Sequence, residues 1–306
     1  MKKTIVKYLF AFLAISFLPL SIIAQDDLLD ELDGEVEEEV EYTAYTFKST
    51  RVVNGQSIEQ MKKRQLDFRI NHRFGQINTG AYELWGLDNA IINFCFEYGI
   101  TDWLMVGFRR GTYQKTYDGS LKFRLLRQSK GKKVMPIALS YFTDMSINTL
   151  KVTDPNIEDV FTNRLAFAHQ ILIARKFNEK LSLQITPSFV HRNLVAANEE
   201  NDVFAIGIGG RYKFIRRVAF TFEYFYASNT VSAFSETIPS GSYFNSLSFG
   251  FDIETGGHVF QIFFTNSKPM VEKGYIAETA GNWLDGGIYF GFNISRVFAL
   301  GGGSHK

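Results

Sequence analysis

One cysteine, Cys95, stands in 306 residues, so the chain cannot close a disulfide on itself. Prolines number 6, too few for a proline-rich stalk or linker. Beyond residue 24 no run of eighteen apolar residues occurs, which excludes a transmembrane helix there. Neither sign of charge is in excess: 33 Lys+Arg face 32 Asp+Glu, a balance unlike that of nucleic-acid-binding chains. Cofactor fingerprints are missing as well. Gly207-Ile208-Gly209-Gly210 has no helix pattern after it and cannot be a phosphate loop. His72, His169, His191 and His258 are scattered without metal-ligand spacing. No Ser faces His72 or His191 from a neighbouring strand end, so a rim hydrolase is disfavoured. The expectation is a non-enzyme with no cofactor, no metal site and no nucleic-acid partner.

Aromatic residues are plentiful, with 30 Phe and 14 Tyr beside 25 Gly. Aromatic side chains fit the pleated surface of a sheet. The chain opens on a basic cluster, Lys2, Lys3 and Lys7, an apolar run over 9–20, and Ala24. Residues 1–24 read as a secretory signal peptide. Without it the formal charge is about −2, and with no disulfide the remainder must be held by a core or by a membrane. Residues 25–63 read as a periplasmic N-terminal segment. Its first part carries ten acids between Asp26 and Glu41 and reads as a partner-binding peptide, disordered alone, with a plug in the Arg-rich lumen and a passive solvated tail as the alternatives. Its second part, 42–63, reads as a connector. Residues 299–306, ending in GGGSHK, read as an appended tail outside the fold.

From residue 64 the pattern has period two. Leu66, Phe68, Ile70 and Phe74 lie on one face, and Asp67, Arg69, Asn71 and Arg73 on the other. The same alternation recurs twelve times, as in Phe94, Phe96 and Tyr98 against Cys95 and Glu97, or Phe220, Phe222 and Tyr224 against Thr221 and Glu223. Connections alternate in length. Brief turns are expected at 101–102, 129–132, 178–179, 216–217 and 256–257, and longer polar loops at 75–89, 111–118, 146–159, 193–202, 228–241 and 268–285. A soluble sandwich has no reason to alternate its loops this way. An outer-membrane barrel does, with short turns periplasmic and long loops outside. The expected fold is all-β: a transmembrane antiparallel up-and-down barrel of about 12 strands over 64–298. It would sit in the bacterial outer membrane with both termini periplasmic, in contact with outer-membrane lipid.

The polar face is expected to line a lumen. Its charges, expected to form a network whose ion pairs close a small bore, are Asp67, Arg69, Arg73, Glu97, Arg109, Lys122, Arg124, Arg164, Arg211, Glu223 and Asp252. Arg predominates among the cations, which suits bidentate pairing in a confined space. Tyr98, Trp103, Tyr141, Tyr224 and Tyr226 suit interfacial girdles. His169 has lipid-facing parity, so a bulge or register shift is expected there.

Phe47 to Arg51, Leu66-Asp-Phe-Arg69 with His72-Arg-Phe74, Lys115 to Gly119, and above all the Gly-Gly-His to Thr-Asn-Ser stretch over 255–267 resemble a family of Bacteroidetes-type outer-membrane β-barrel proteins of unknown function. The resemblance covers about 45–298. It implies a barrel and a compartment, and no activity. Two readings of function follow. One is a structural or accessory subunit of an outer-membrane complex, with protein partners in the outer membrane or periplasm. The other is a narrow channel or transporter for small solutes.

Overall fold

A computed structural model describes residues 39–153, 159–197, 199–235 and 238–300. The leader over 1–24, the acidic run up to residue 38 and the GGGSHK tail lie outside the described residues.

Strand β1 (Val40–Tyr42) stands apart from the barrel. The barrel strands are β2 (Gln65–Gln76), β3 (Ala90–Gly99), β4 (Leu104–Gly111), β5 (Tyr117–Leu126), β7 (Ala138–Ile147) and β8 (Leu165–Lys176). They continue with β9 (Leu181–Arg192), β10 (Asp202–Ile215), β11 (Val218–Ala227), β12 (Ser246–Thr255), β13 (His258–Thr265) and β14 (Tyr289–Ala299). Each pairs antiparallel with its chain neighbour, and β14 returns to β2, with Ile294 opposite Ile70 and Asn293 opposite Asn71. The result is a closed 12-stranded barrel. Closure leaves the barrel no open sheet edge, as a lipid surround demands. Among the described residues no helix is long and apolar enough to cross a membrane.

The alternation sets the facing. Along β9 every second residue from Ser182 to Arg192 is buried, and those between are half-buried. Phe222 and Phe292 point outward, Glu223 and Asn293 inward. The outer face carries an aromatic belt, with Phe68 against Phe96 at 5.0 Å and Phe74 against Phe290 at 5.6 Å. His169 does face outward, but no bulge relieves it. The β7–β8 register runs unbroken through Thr143↔His169. Tyr141 Oη at 2.8 Å and Thr143 Oγ1 at 3.1 Å satisfy its Nδ1 instead.

Two further expectations about the connections fail. Residues 127–137 are not a brief turn: they carry β6 (Ser129–Gly131), which pairs with β1 in a separate two-stranded sheet. Residues 42–63 are not a connector outside the barrel. From Thr46 to Gln60 every residue except half-buried Lys48 and Glu59 is buried, and the segment runs inside the lumen.

Candidate functional site

The barrel interior is occupied by two inserts. Residues 46–60 enter and leave at the end that carries the short turns. They fold into a tight hairpin, with Arg51 bridged to Gln56 and the Val52 amide donating to the Gly55 carbonyl. The loop between β13 and β14 enters from the other end and carries α1 (Glu272–Ala277), all of whose residues are buried. The two meet at Glu272, whose Oε1 accepts from Arg51 Nη1 at 2.8 Å and Gln56 Nε2 at 3.1 Å.

The hairpin offers the barrel a row of backbone groups that no strand pairs, and wall side chains take them up. Its tip forms a nest of three consecutive amides around one carboxylate. Val53 and Gly55 donate to Glu223 Oε2 at 3.1 and 2.9 Å, and Asn54 donates to Oε1 at 2.7 Å. Carbonyls along the hairpin accept from Gln261 (Val52 O, 3.0 Å), Asn293 (Val53 O, 3.2 Å) and Gln184 (Gln56 O, 2.7 Å). Lys122 Nζ spans Ser57 O at 3.1 Å and Glu59 O at 2.9 Å. Asn54 completes the tip, donating to Ser248 Oγ at 2.8 Å and accepting from Arg73 at 2.7 Å. Gly55 permits a close approach: a Cβ there would stand 3.0 Å from the Phe225 ring and 3.2 Å from Glu223 Oε2, so both would have to give way by a few tenths of an ångström.

Apolar contacts add to this. Phe47, Val52, Val53 and Ile58 pack with Phe142, Leu172 and Phe263. Tyr275, Ile276 and Ala277 of α1 pack on Ala168, Val190, Val203 and Phe225, with the Tyr275 and Phe225 rings 5.2 Å apart. Small inward residues on β8, such as Ala168 and Ala174, leave the room that the inserts fill.

Around the inserts the wall charges form three clusters. Asp67 and Glu97 stand directly opposite on β2 and β3, a like-charge pair that Arg69 separates by contacting both. Thr50 of the hairpin donates to Glu97 and accepts from Arg69 Nη2 at 2.6 Å. Arg109 is the hub of the second cluster. It pairs with Asp118, with Asp144 at 2.7 Å and with Glu272 at 2.6 Å. These three carboxylates offer oxygens within 4.8 Å of one another, a set that could ligate a cation, but the Arg109 guanidinium already serves as theirs. Arg211 pairs with Glu254 at 2.6 Å and with Asp252 at 3.6 Å.

Of the charges expected on the inner face, nine are buried in the barrel: Asp67, Arg69, Arg73, Glu97, Arg109, Lys122, Arg211, Glu223 and Asp252. Arg124 lies at the turn end, donating to the Asp102 carbonyl at 2.8 Å. Arg164 is not on a wall strand. It ends a 3-10 turn, Phe161–Arg164, and pairs with Asp159 in the adjoining loop. Asp118 and Asp144 are inward charges beyond those expected; β5 extends into the expected 111–118 loop, and the parity of Asp118, Ser120 and Lys122 carries the signal. Nothing in the local sequence marks Glu272 or Arg51.

At the loop end the polar groups are more open. Arg192 Nη1 pairs with Glu199 at 3.0 Å, and Tyr243 Oη donates to Glu199 at 3.1 Å. Burial, with the Glu278 and Glu199 carboxylates nearby, pushes the Tyr243 hydroxyl up to about 12.

The family described as "Membrane bound beta barrel domain (DUF5777)" matches residues 47–298. The match takes in the hairpin as well as the twelve strands. No curated protein matches the chain. Among solved structures the chain is similar to the NanC porin, at 9% identity over 76% of this chain and 98% of that one, with a TM-score of 0.43. It is similar to the KdgM porin at 5% identity over 78% and 99%, with a TM-score of 0.43. An outer membrane channel from Pseudomonas putida F1 shows 10% identity over 78% and 97%, with a TM-score of 0.44.

Proposed function

The chain belongs to this family of membrane-bound β-barrel domains, and on that premise we propose that it is an outer-membrane barrel closed at rest, a structural or accessory subunit of an outer-membrane assembly. The observation that carries this reading is the hairpin over 46–60, whose backbone groups are taken up by wall side chains along the lumen. In this reading a bore filled by the hairpin leaves no aqueous path of porin width, and the charge clusters are engaged in internal pairs. In this reading residues 1–24 are a secretory leader, the short turns face the periplasm, and the acidic stretch before β1 serves as a docking peptide for a periplasmic partner.

A second reading, a narrow channel for small solutes, draws on one specific feature. The groups that hold the hairpin are polar: Glu223, Lys122, Gln184, Gln261 and Asn293. Withdrawal of the hairpin would therefore leave a wettable bore, and the chain leading into it starts at the turn end. Planar-bilayer conductance of the full chain and of a chain lacking residues 46–60 tests both readings. The full chain is expected to be silent and the shortened one to conduct. Stable porin-like conductance by the full chain would overturn the closed reading. Silence of the full chain, with defined proteins co-purifying in mild detergent, supports the accessory role.

A further inference from the structure

Among the described residues, the exposed side chains at the two ends of the barrel carry opposite charge. At the turn end, exposed cations occur at Lys62, Lys63 and Arg64 ahead of β2, and at Arg296 on the adjoining β14. The β5–β7 connection adds Arg127, Lys130 and Lys133, the β8–β9 turn Lys180, and the β10–β11 turn Arg216 and Arg217. Exposed acids at this end, among the described residues, are Glu39, Glu41, Asp102 and Glu179. At the loop end the exposed set reverses: Asp88, Asp159, Glu200, Asp202 and Asp285 against Lys115, Lys151 and Lys268.

Placement around the rim decides what this charge suits. In barrel order the cationic positions are β10/β11, β14/β2, β5/β7 and β8/β9, with only β12/β13 and β3/β4 between them lacking one. A protein partner touches one sector of a barrel. Charge on four of six positions matches something that surrounds the barrel. Apolar rings on the outer face share this level. Trp103, Phe177, Phe214 and Phe298 are exposed there, with Arg175 over the Phe177 ring at 5.0 Å and Arg296 over Phe298 at 5.1 Å. Rings beside cations mark the depth where acyl chains give way to phosphates.

We infer that the turn-end rim is an annular binding surface for anionic phospholipid headgroups. The inference rests on the barrel spanning a membrane. It adds which leaflet chemistry the turn end engages: phosphate oxygens of lipids with net negative charge, bound by Lys and Arg that the internal clusters do not use. The loop end, with its acidic excess, has no such preference.

Trp103, at the rim, is the local reporter. In a Trp85→Phe/Trp283→Phe background, quenching by brominated phosphatidylglycerol is compared with quenching by brominated phosphatidylcholine in mixed vesicles. Each basic residue near an anionic surface strengthens association about fivefold. The parent is expected to favour phosphatidylglycerol by about tenfold or more, and less at high salt. Replacing the five cations that flank Trp103 in barrel order, Lys62, Lys63, Arg64, Arg127 and Lys130, with Gln is expected to remove most of that preference. Replacing Lys115 and Lys151 with Gln is expected to leave it unchanged. These rim side chains are exposed, so the variants keep the fold. Protease protection reads insertion separately, so loss of spanning is distinguished from loss of lipid preference. Equal quenching by the two lipids in an inserted parent, or full preference in the five-residue variant, would overturn the inference.

Discussion

Replacing Glu223 with Gln tests whether the hairpin is held by the nest at its tip. The carboxylate accepts three buried amides, two on Oε2 and one on Oε1. A carboxamide has one acceptor oxygen. Placed at the Oε2 position it keeps Val53 and Gly55 but sets an NH2 against the Asn54 amide. One hydrogen bond to a charged acceptor is lost and one buried donor is left unsatisfied, a local cost of about 2–4 kcal/mol. If that cost falls on the inserted state alone, the released population rises by about 30-fold to 10³-fold. Cys95 is a built-in reporter. It is the only cysteine, fully buried on the inner face of β3, between Arg69 and Arg109 in register. A hydrophilic maleimide reaches it only when the lumen opens. Where reclosing outpaces the reagent, the labelling rate follows the open population. Folded Glu223→Gln protein is expected to label faster by that factor, while heat unfolding of the barrel shifts little. Labelling at the parent rate, in a variant that remains folded, would refute the role of the nest.

Three further outcomes are expected. Phe222→Arg or Phe292→Arg places a cation on the lipid face near mid-membrane and is expected to destabilise the barrel by about 2–4 kcal/mol, read from urea titration in vesicles. Arg109→Met leaves Asp118, Asp144 and Glu272 without their shared cation, so a loss of about 3–5 kcal/mol is expected, with part recovered in Arg109→Met/Asp144→Asn; no recovery would mean that Arg109 acts by packing alone. Gly55→Val puts methyl groups against the Phe225 ring and the Glu223 carboxylate, and is expected to raise Cys95 labelling as Glu223→Gln does, with the barrel signal in circular dichroism unchanged.

The twelve strands were legible in the sequence because a membrane barrel writes its fold locally. Each strand must alternate a lipid face with an interior face, and period two needs no knowledge of partners. Leu66, Phe68 and Ile70 against Asp67 and Arg69 carry that signal within six residues. Strand ends and the 127–137 excursion were less legible. The alternation fades where side chains leave the membrane, and β6 takes its partner from β1, far back in the chain. Parity also marked which charges turn inward, but not what they meet. Glu223 finds its amides 168 to 170 residues away, and Arg51 finds Glu272 at a separation of 221. Residues 46–60 have no period and no apolar face of their own, so they read as a connector. Their place in the lumen follows from the barrel around them, which alone supplies donors and acceptors for a backbone that no strand pairs. The sequence by itself determined a barrel wall and its two faces; only the tertiary structure decided that the wall is filled, because closure of the cylinder brings distant side chains around a segment with no local signal.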